Sequence, residues 1–147
     1  MLKKHLYIPV EIKPREYVSN LLLINKAIDK NFRCYLGSKS SINRLIMYSN
    51  QANGIYFSKC SFVKKEYQKI KKKCDHITIL DQELGPALSI QEIQMGLRSM
   101  NDQIYNEYID SYYVLGNFAN EIVKQEYPQI ETVIKITGWP RIDLWNK

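Results

Sequence analysis

The sequence lacks the long apolar segments and cysteine patterns that mark several protein classes. Among its 147 residues, no apolar run approaches the roughly 18 needed to cross a bilayer. The basic start, residues 1–5, is not followed by a long apolar core, so we predict no signal peptide and a cytoplasmic location. Three cysteines without a CxxC pair give a zinc site little support. Only six glycines and five prolines are present, which excludes collagen-like and low-complexity chains.

Two phosphate-binding motifs are also missing. No GxGxxG follows the first predicted strand, and no GxxxxGK[ST] loop occurs. The fingerprints of dinucleotide-binding and P-loop proteins are therefore absent. We predict no cofactor and no metal ion.

Positive charge is concentrated in one segment. The chain has 21 Lys and Arg against 15 Asp and Glu, a net charge of +6. Residues 64–73 hold six lysines and one glutamate, so five of those six charge units lie there. The segment is either a solvated helix face or a contact with the anionic inner face of a membrane. Nucleic-acid binding is disfavoured, because Tyr67 is the only aromatic residue inside the segment.

Short apolar runs alternate with longer amphipathic stretches along the chain. The runs predict strands at residues 6–10, 33–36, 55–57, 76–80, 112–115 and 132–136. The stretches between them predict helices, which implies a mainly parallel sheet with right-handed crossovers. The predicted fold class is α/β, a single three-layer Rossmann-like domain over residues 1–147 with about six strands.

Some local predictions are specific enough to be checked one by one. Residues 37–41 are predicted as a turn, and Ser89 with Glu92 as a capping box. The helix from about Pro14 is expected to face inward with Tyr17, Leu21, Ile24 and Ile28, widened by Val18, Leu22 and Leu23. The last helix is expected to be capped by Asn117 and to face inward with Phe118, Ile122, Val123 and Tyr127.

Polar residues follow each predicted strand, where open parallel sheets bind their ligands. The candidates after the first two strands are Glu11, Lys13, Arg15, Glu16, Ser38 and Lys39. Ser58 and Lys59 follow the third strand, and Asp81 and Glu83 the fourth. Gly138, Pro140, Arg141 and Asp143 follow the sixth.

Alternatives remain open for each candidate. Glu11 is either a general base that takes a proton from a hydroxyl, or a salt-bridged surface carboxylate. Residues 37–41 either bind an anion at a helix start or simply cap that helix. Asp81 and Glu83 would bind a sugar hydroxyl or the Lys39 and Arg15 side chains, and a metal ion has little support because no third ligand lies nearby in the sequence. The eleven tyrosines suit carbohydrate contact or core packing.

Five blocks, taken in order along the chain, resemble a known family. YIPVEIKPRE at residues 7–16 matches a strand followed by E-x-K-x-R-E, the opening of bacterial surface-carbohydrate biosynthesis proteins. The other blocks are LGSKSSI at 36–42, GIYFSK at 54–59, LDQE at 80–83 and TGWPRID at 137–143. In the last block Trp139 stands where the family has Asn, and in LDQE Gln82 stands where an acidic residue is common.

The resemblance implies the N-terminal, acceptor-side half of a glycosyltransferase of the two-Rossmann-domain (GT-B) type. Such an enzyme transfers a sugar or phosphate-linked unit from a nucleotide-activated donor to a glycan or lipid-linked acceptor. Glu11 would be its catalytic base or a ligand of the acceptor hydroxyl. The implied substrate-binding residues are Lys13, Arg15, Glu16, Ser38, Lys39, Asp81 and Glu83. The implied domain-junction residues are Gly138, Pro140, Arg141 and Asp143.

The resemblance also implies a C-terminal donor domain that residues 1–147 do not contain. We therefore expect this chain alone to be inactive as an enzyme, because one half leaves the cleft open. Two other functions stay open. The chain is alternatively a non-catalytic Rossmann-like binding or interaction module, or half of a sugar-nucleotide epimerase-like enzyme.

Overall fold

A six-stranded sheet forms the centre of the protein. The computed structural model describes residues 4–49, 52–59, 64–80, 89–98 and 105–144, apart from the side chains of residues 96, 98, 105, 106 and 143. The strands are β1 (Lys4–Val10), β2 (Phe32–Ser38), β3 (Gly54–Ser58), β4 (His76–Leu80), β5 (Ser111–Val114) and β6 (Ile134–Ile136). The helices are α1 (Lys13–Asp29), α2 (Lys39–Tyr48), α3 (Lys64–Lys71), α4 (Ile90–Arg98), α5 (Tyr105–Tyr108) and α6 (Asn117–Glu126), with 3₁₀ turns at Pro128–Val133 and Ile142–Leu144.

All the strand pairs are parallel, and the order across the sheet is β2-β1-β3-β4-β5-β6. This confirms the predicted α/β class with about six strands. The order is the flavodoxin-like form of the doubly wound sheet, extended by one strand. The chain moves outward from β1 to β2 and then returns past β1 to β3. The switch point, where a doubly wound sheet opens a crevice, therefore lies between β1 and β3.

The two faces of the sheet are covered unequally by the described helices. Leu6, Ile8 and Ala27 form a small cluster with partly buried residues of α1, β2 and β3. The opposite face carries the large cluster, to which α2, α3, α4 and α6 all contribute. Five tyrosines are buried there: Tyr7, Tyr56, Tyr67, Tyr112 and Tyr127. For these five, the prediction of core packing is confirmed.

The predicted inward stripe of α1 is largely wrong. Leu23 and Ile24 pack partly buried against the sheet, as expected. The other members of the stripe point outward, and are 36% to 58% exposed: Tyr17, Val18, Leu21, Leu22 and Ile28. The buried residues of α1 are Glu16, Ser19, Asn20 and Ala27. Glu16 fixes which face of α1 is turned toward the sheet, because its carboxylate accepts hydrogen bonds from the backbone N–H groups just after β1. Residues 20, 23 and 27 lie on the same face of the helix as Glu16 and therefore also face the sheet.

Two further local predictions are corrected. The predicted turn at residues 37–41 does not exist, because β2 runs through Ser38 and α2 begins at Lys39. Gly116, not Asn117, is the N-cap of α6, and Phe118 is 60% exposed instead of buried. The capping box is confirmed, since Glu92 N–H donates to Ser89 Oγ and Ser89 N–H donates to the Glu92 carboxylate.

Asp110 ties the amino end of β4 to the helix layer. Its carboxylate accepts hydrogen bonds from Lys71 Nζ at 2.6 Å and from Ile77 N–H at 2.8 Å. Partial burial alone would raise the pKa of Asp110, but the bonds from Lys71 and Ile77 outweigh it and leave the pKa below its ordinary value of 3.8. Asp110 is therefore ionised at neutral pH.

We expect Asp110→Asn to lower the free energy of unfolding by about 1–2 kcal/mol at pH 7. The pKa of Asp110 is lower in the folded protein, so the stabilisation is present above about pH 4 and is lost as pH falls through the folded pKa. Urea unfolding at pH 7 and pH 3 measures this. The difference in the free energy of unfolding between wild type and Asp110→Asn should be smaller at pH 3 than at pH 7. An equal difference at the two pH values contradicts a stabilising role for the Asp110 charge. Glu131→Gln is the control, because this carboxylate is 59% exposed beside Lys124.

Candidate functional site

Glu16 anchors the carboxyl end of β1 to the first turn of α1. Its side chain is 1% exposed. Its two carboxylate oxygens accept hydrogen bonds from Glu11 N–H at 2.8 Å and Ile12 N–H at 3.0 Å. Ile12 is the N-cap of α1 and has no capping side chain, and Glu16 reaches back to satisfy the N–H of Ile12 and of Glu11 before it, as the acidic member of a capping box does for the N-cap. The negative charge also suits the positive end of the helix dipole.

Lys59, directly after β3, lies between two carboxylates. Its Nζ is 3.5 Å from Glu16 Oε1 and 3.2 Å from Glu11 Oε2. The side chain is only 8% exposed. An ammonium group this deeply buried must be paired, because the loss of hydration costs several kcal/mol. Lys59 therefore joins the ends of β1 and β3 across the switch point.

Lys39 extends the same network to the other side of Glu11. Its Nζ is 3.1 Å from Glu11 Oε1 and 3.5 Å from Glu66 Oε1. Asn43 Nδ2 donates to the same Glu66 oxygen at 3.0 Å, and Tyr56 OH donates to Asn43 Oδ1 at 2.8 Å. The network thus reaches from the end of β2 to α3.

The charges that the described residues contribute to this network balance. Its carboxylates are those of Glu11, Glu16 and Glu66, and its cations are Lys39, Lys59 and Arg15, the last 3.6 Å from Glu16. Burial alone would raise the pKa of Glu11, but the two lysines outweigh it and leave the pKa lowered. Glu11 is therefore held ionised, which suits a hydrogen-bond acceptor better than a base that must carry a proton near neutral pH.

A pocket of about 260 Å³ opens beside Glu11, where β1 and β2 end. Its lining residues are Val10, Glu11, Lys13, Tyr17, Leu36, Gly37 and Ser38. Lys13 Nζ lies 5.3 Å from the centroid of the Tyr17 ring. The pocket thus combines an aromatic face, a carboxylate, an ammonium group and a hydroxyl.

Several sequence-predicted residues meet at this edge, and some do so in a different role from the one expected. Glu11, Glu16, Arg15 and Lys39 belong to the ion-pair network, whereas Lys13 lines the pocket. The hydroxyl of Ser38 accepts from Ser41 N–H, so it caps α2 while it lines the pocket. Of the two alternatives for residues 37–41, the geometry shows helix capping.

The residues after β6 are separate from this cluster. β4 and β5 lie between β6 and β3, which is about 14 Å across the sheet. Thr137 N–H donates to Val114 O, and the Arg141 guanidinium lies 5.9 Å from the Trp139 ring centroid. Gly138 and Pro140 lie in the segment between β6 and the last 3₁₀ turn, and Gly138 has a φ of +78°, in the left-handed region. The domain-junction role stays a prediction.

Asp81 and Glu83, and the side chain of Asp143, lie outside the described residues. Within the described part of the chain, no group of three His, Cys, Asp or Glu side chains is placed to hold a metal ion. Nor does any described helix have the length and apolar character needed to cross a membrane.

Sequence reasoning placed Lys59 at this edge without assigning it to the site, and it missed Tyr17, Asn43 and Glu66. Lys59 follows a strand directly, so the carboxyl-end rule was enough to include it. The spacing of Tyr17 fits an inward helix face, so the sequence predicts it in the core. Asn43 and Glu66 lie within helices, and no local pattern indicates that they face the sheet edge.

No protein-family model, curated protein or solved structure matches the chain. The interpretation of the site therefore depends on its geometry and on the resemblance of the five sequence blocks.

Proposed function

We propose that this chain is the acceptor-side domain of a surface-polysaccharide glycosyltransferase. The complete enzyme would transfer a sugar or phosphate-linked unit from a nucleotide-activated donor to a glycan or lipid-linked acceptor. The observation that carries the proposal is the pocket beside Glu11, at the sheet edge where doubly wound proteins bind ligands. A second domain would hold the nucleotide-sugar donor, as in the enzymes that the sequence blocks resemble.

The pocket residues suit a saccharide. The ring of Tyr17, which is 37% exposed, offers an apolar surface to the C–H face of a sugar. The Glu11 carboxylate accepts a hydrogen bond from a sugar hydroxyl, while Ser38 and Lys13 supply further polar contacts. A few polar groups around an apolar surface are the usual composition of a small-molecule site.

In the proposed reaction an acceptor hydroxyl attacks the anomeric carbon of the donor sugar. The bond from that carbon to the phosphate oxygen breaks, and the nucleotide leaves with the bonding electrons. The hydroxyl proton passes to Glu11 as the new bond forms. Because the lysines lower the pKa of Glu11, this transfer is favourable only late, when the attacking oxygen has become strongly acidic. Orientation of the hydroxyl is therefore the main role of Glu11.

We expect Tyr17→Ala to weaken saccharide binding about tenfold, because the stacking surface is lost. Saturation-transfer NMR with a panel of hexoses, N-acetylhexosamines and glycerol phosphate measures the binding. Tyr48→Ala is the matched control, since Tyr48 is 84% exposed on α2, away from the pocket, and its loss should change nothing. Absence of saccharide binding, or an equal effect of both variants, contradicts the proposal.

A transfer assay separates the transferase from a binding module. The whole polypeptide encoded by the gene is incubated with a bound saccharide and labelled UDP-, GDP-, dTDP- and CMP-sugars. If the polypeptide is a transferase, labelled product forms. The rate of its formation should fall at least about a hundredfold in Glu11→Gln if orientation of the hydroxyl and proton transfer are both lost. Saccharide binding without any product identifies a non-catalytic module instead.

A further inference from the structure

The outward face of α1 is an apolar surface that none of the described elements covers. We define the α1 outer face as Tyr17, Val18, Leu21, Leu22 and Ile28. Val18 is 54% exposed, Leu21 41% and Ile28 58%. Tyr17, Val18, Leu21 and Leu22 are neighbours at i+3 and i+4 spacing and form one patch, whereas the exposed Asn25 lies between this patch and Ile28. A contiguous apolar patch on a protein surface marks an interaction site more often than scattered single residues do.

Basic residues border this face. Lys13, Lys26 and Lys30 are all exposed along α1 and at its end, against one exposed acidic residue, Asp29. The helix therefore presents an apolar stripe with an excess of positive charge at its edges. Helices that lie in the interfacial layer of a membrane have this pattern, with the apolar residues inserted and the lysines near lipid phosphates.

We propose that the α1 outer face docks the protein on an anionic bilayer surface as a peripheral contact. Partial insertion of the apolar residues and attraction of the lysines would act together, and two such contributions are needed for stable anchoring. Tyr17 belongs both to this face and to the pocket, and Lys13 lines the pocket as well. The pocket would then open at the level of the lipid headgroups. If the proposed function holds, a lipid-linked acceptor would meet Glu11 there.

The lysine-rich segment at 64–73 is the weaker candidate for membrane contact. α3 packs on the face of the sheet opposite α1, because its Tyr67 and Ile70 belong to the large cluster. With those two residues buried, α3 has no apolar side chain to insert. Its lysines are also partly engaged, Lys71 with Asp110 and Lys73 with the Ser49 carbonyl. The two helices are on opposite sides of the sheet, so a flat membrane would contact only one of them.

Vesicle flotation tests the proposal without any saccharide. The chain is mixed with vesicles of phosphatidylcholine alone, or with 30% phosphatidylglycerol, at low and high salt. We expect binding to the anionic vesicles that weakens at high salt, and little binding to phosphatidylcholine. The double variant Val18→Gln/Leu21→Gln should reduce the partition coefficient at least about tenfold, because two inserted side chains become polar. Circular dichroism and a thermal melt establish that it is folded.

Two matched variants locate the contact. Leu45→Gln/Tyr48→Gln removes two exposed apolar residues of α2, on the other side of the sheet, and should leave binding unchanged. Lys26→Gln/Lys30→Gln should weaken binding to anionic vesicles about tenfold, whereas Lys65→Gln/Lys69→Gln on α3 should not. The proposal is overturned if the α3 variant alone abolishes binding, if no vesicle binds, or if the α1 double variant binds as well as wild type. Self-association that depends on Val18 and Leu21, found by sedimentation without lipid binding, also overturns it in favour of a second copy.

Discussion

Replacement of Glu16 by Gln is expected to lower the free energy of unfolding by about 3 kcal/mol. Glu16 is 1% exposed and contacts two backbone N–H groups and Lys59. An amide has nearly the shape of the carboxylate but has no charge and only one acceptor oxygen. The variant leaves one N–H group without its acceptor and removes one of the two carboxylates that the described residues place beside Lys59. Each of these losses is costly because water does not replace the missing partner.

Glu107→Gln is the matched control for Glu16→Gln. Glu107 also faces a lysine, Lys64 at 3.9 Å, but its side chain is 55% exposed. Exposed pairs of this kind contribute about 0–1 kcal/mol, so the control should unfold close to wild type. Urea denaturation at pH 7 gives both values. Equal midpoints for the two variants would show that the Glu16 contacts contribute no more than a surface ion pair.

Gly54→Ala is expected to lower the free energy of unfolding by about 4 kcal/mol, by backbone strain and steric conflict together. Gly54 begins β3 with a φ of +141°, a conformation that residues with a side chain rarely adopt. A Cβ there would lie 2.3 Å from the His5 carbonyl oxygen in β1. Because this neighbour is backbone within the sheet, β1 and β3 must separate locally to accommodate the methyl group.

Gly37→Ala supplies the comparison for Gly54→Ala. Gly37 also lies in a strand, β2, but a Cβ there would lie 3.6 Å from the Ile42 side chain, an ordinary van der Waals distance. Gly37→Ala should change the free energy of unfolding by no more than roughly 0.5 kcal/mol. Thermal unfolding followed by circular dichroism compares the two variants. If the Gly54→Ala and Gly37→Ala proteins have the same melting temperature, the His5 carbonyl is not close enough to Gly54 in solution to exclude a methyl group.

The sheet and part of the site could be predicted from the sequence, because each depends on a short-range signal. β4 has the predicted bounds, since a run of apolar and β-branched residues is flanked by polar ones. The carboxyl-end rule brought Glu11 and Lys39 together, and their charged atoms are 3.1 Å apart. That rule needs only a parallel sheet and the position at which each strand ends.

The rotation of α1 could not be predicted, because a polar anchor outweighs the apolar pattern. Tyr17, Leu21 and Ile28 have the spacing of a buried face, and hydrophobicity alone turns them inward. Glu16 instead satisfies two backbone donors directly before the helix and a buried lysine, Lys59, that lies on a distant segment of the chain. The sequence contains no local indication of Lys59 as the partner of Glu16, so only the tertiary structure reveals which face is buried.

The equality of positive and negative groups among the described residues of the ion-pair network has a consequence for recognition. Lys39, Lys59 and Arg15 each already have a carboxylate neighbour, so a free phosphate entering this edge gains little attraction from these three cations. The binding of an uncharged polyol is not weakened by this charge balance, because it depends on the directions of individual hydrogen bonds. Among the described cations at this edge, Lys13 is then the one on which the attraction of an anion into the cavity would chiefly depend, since the other three already face carboxylates.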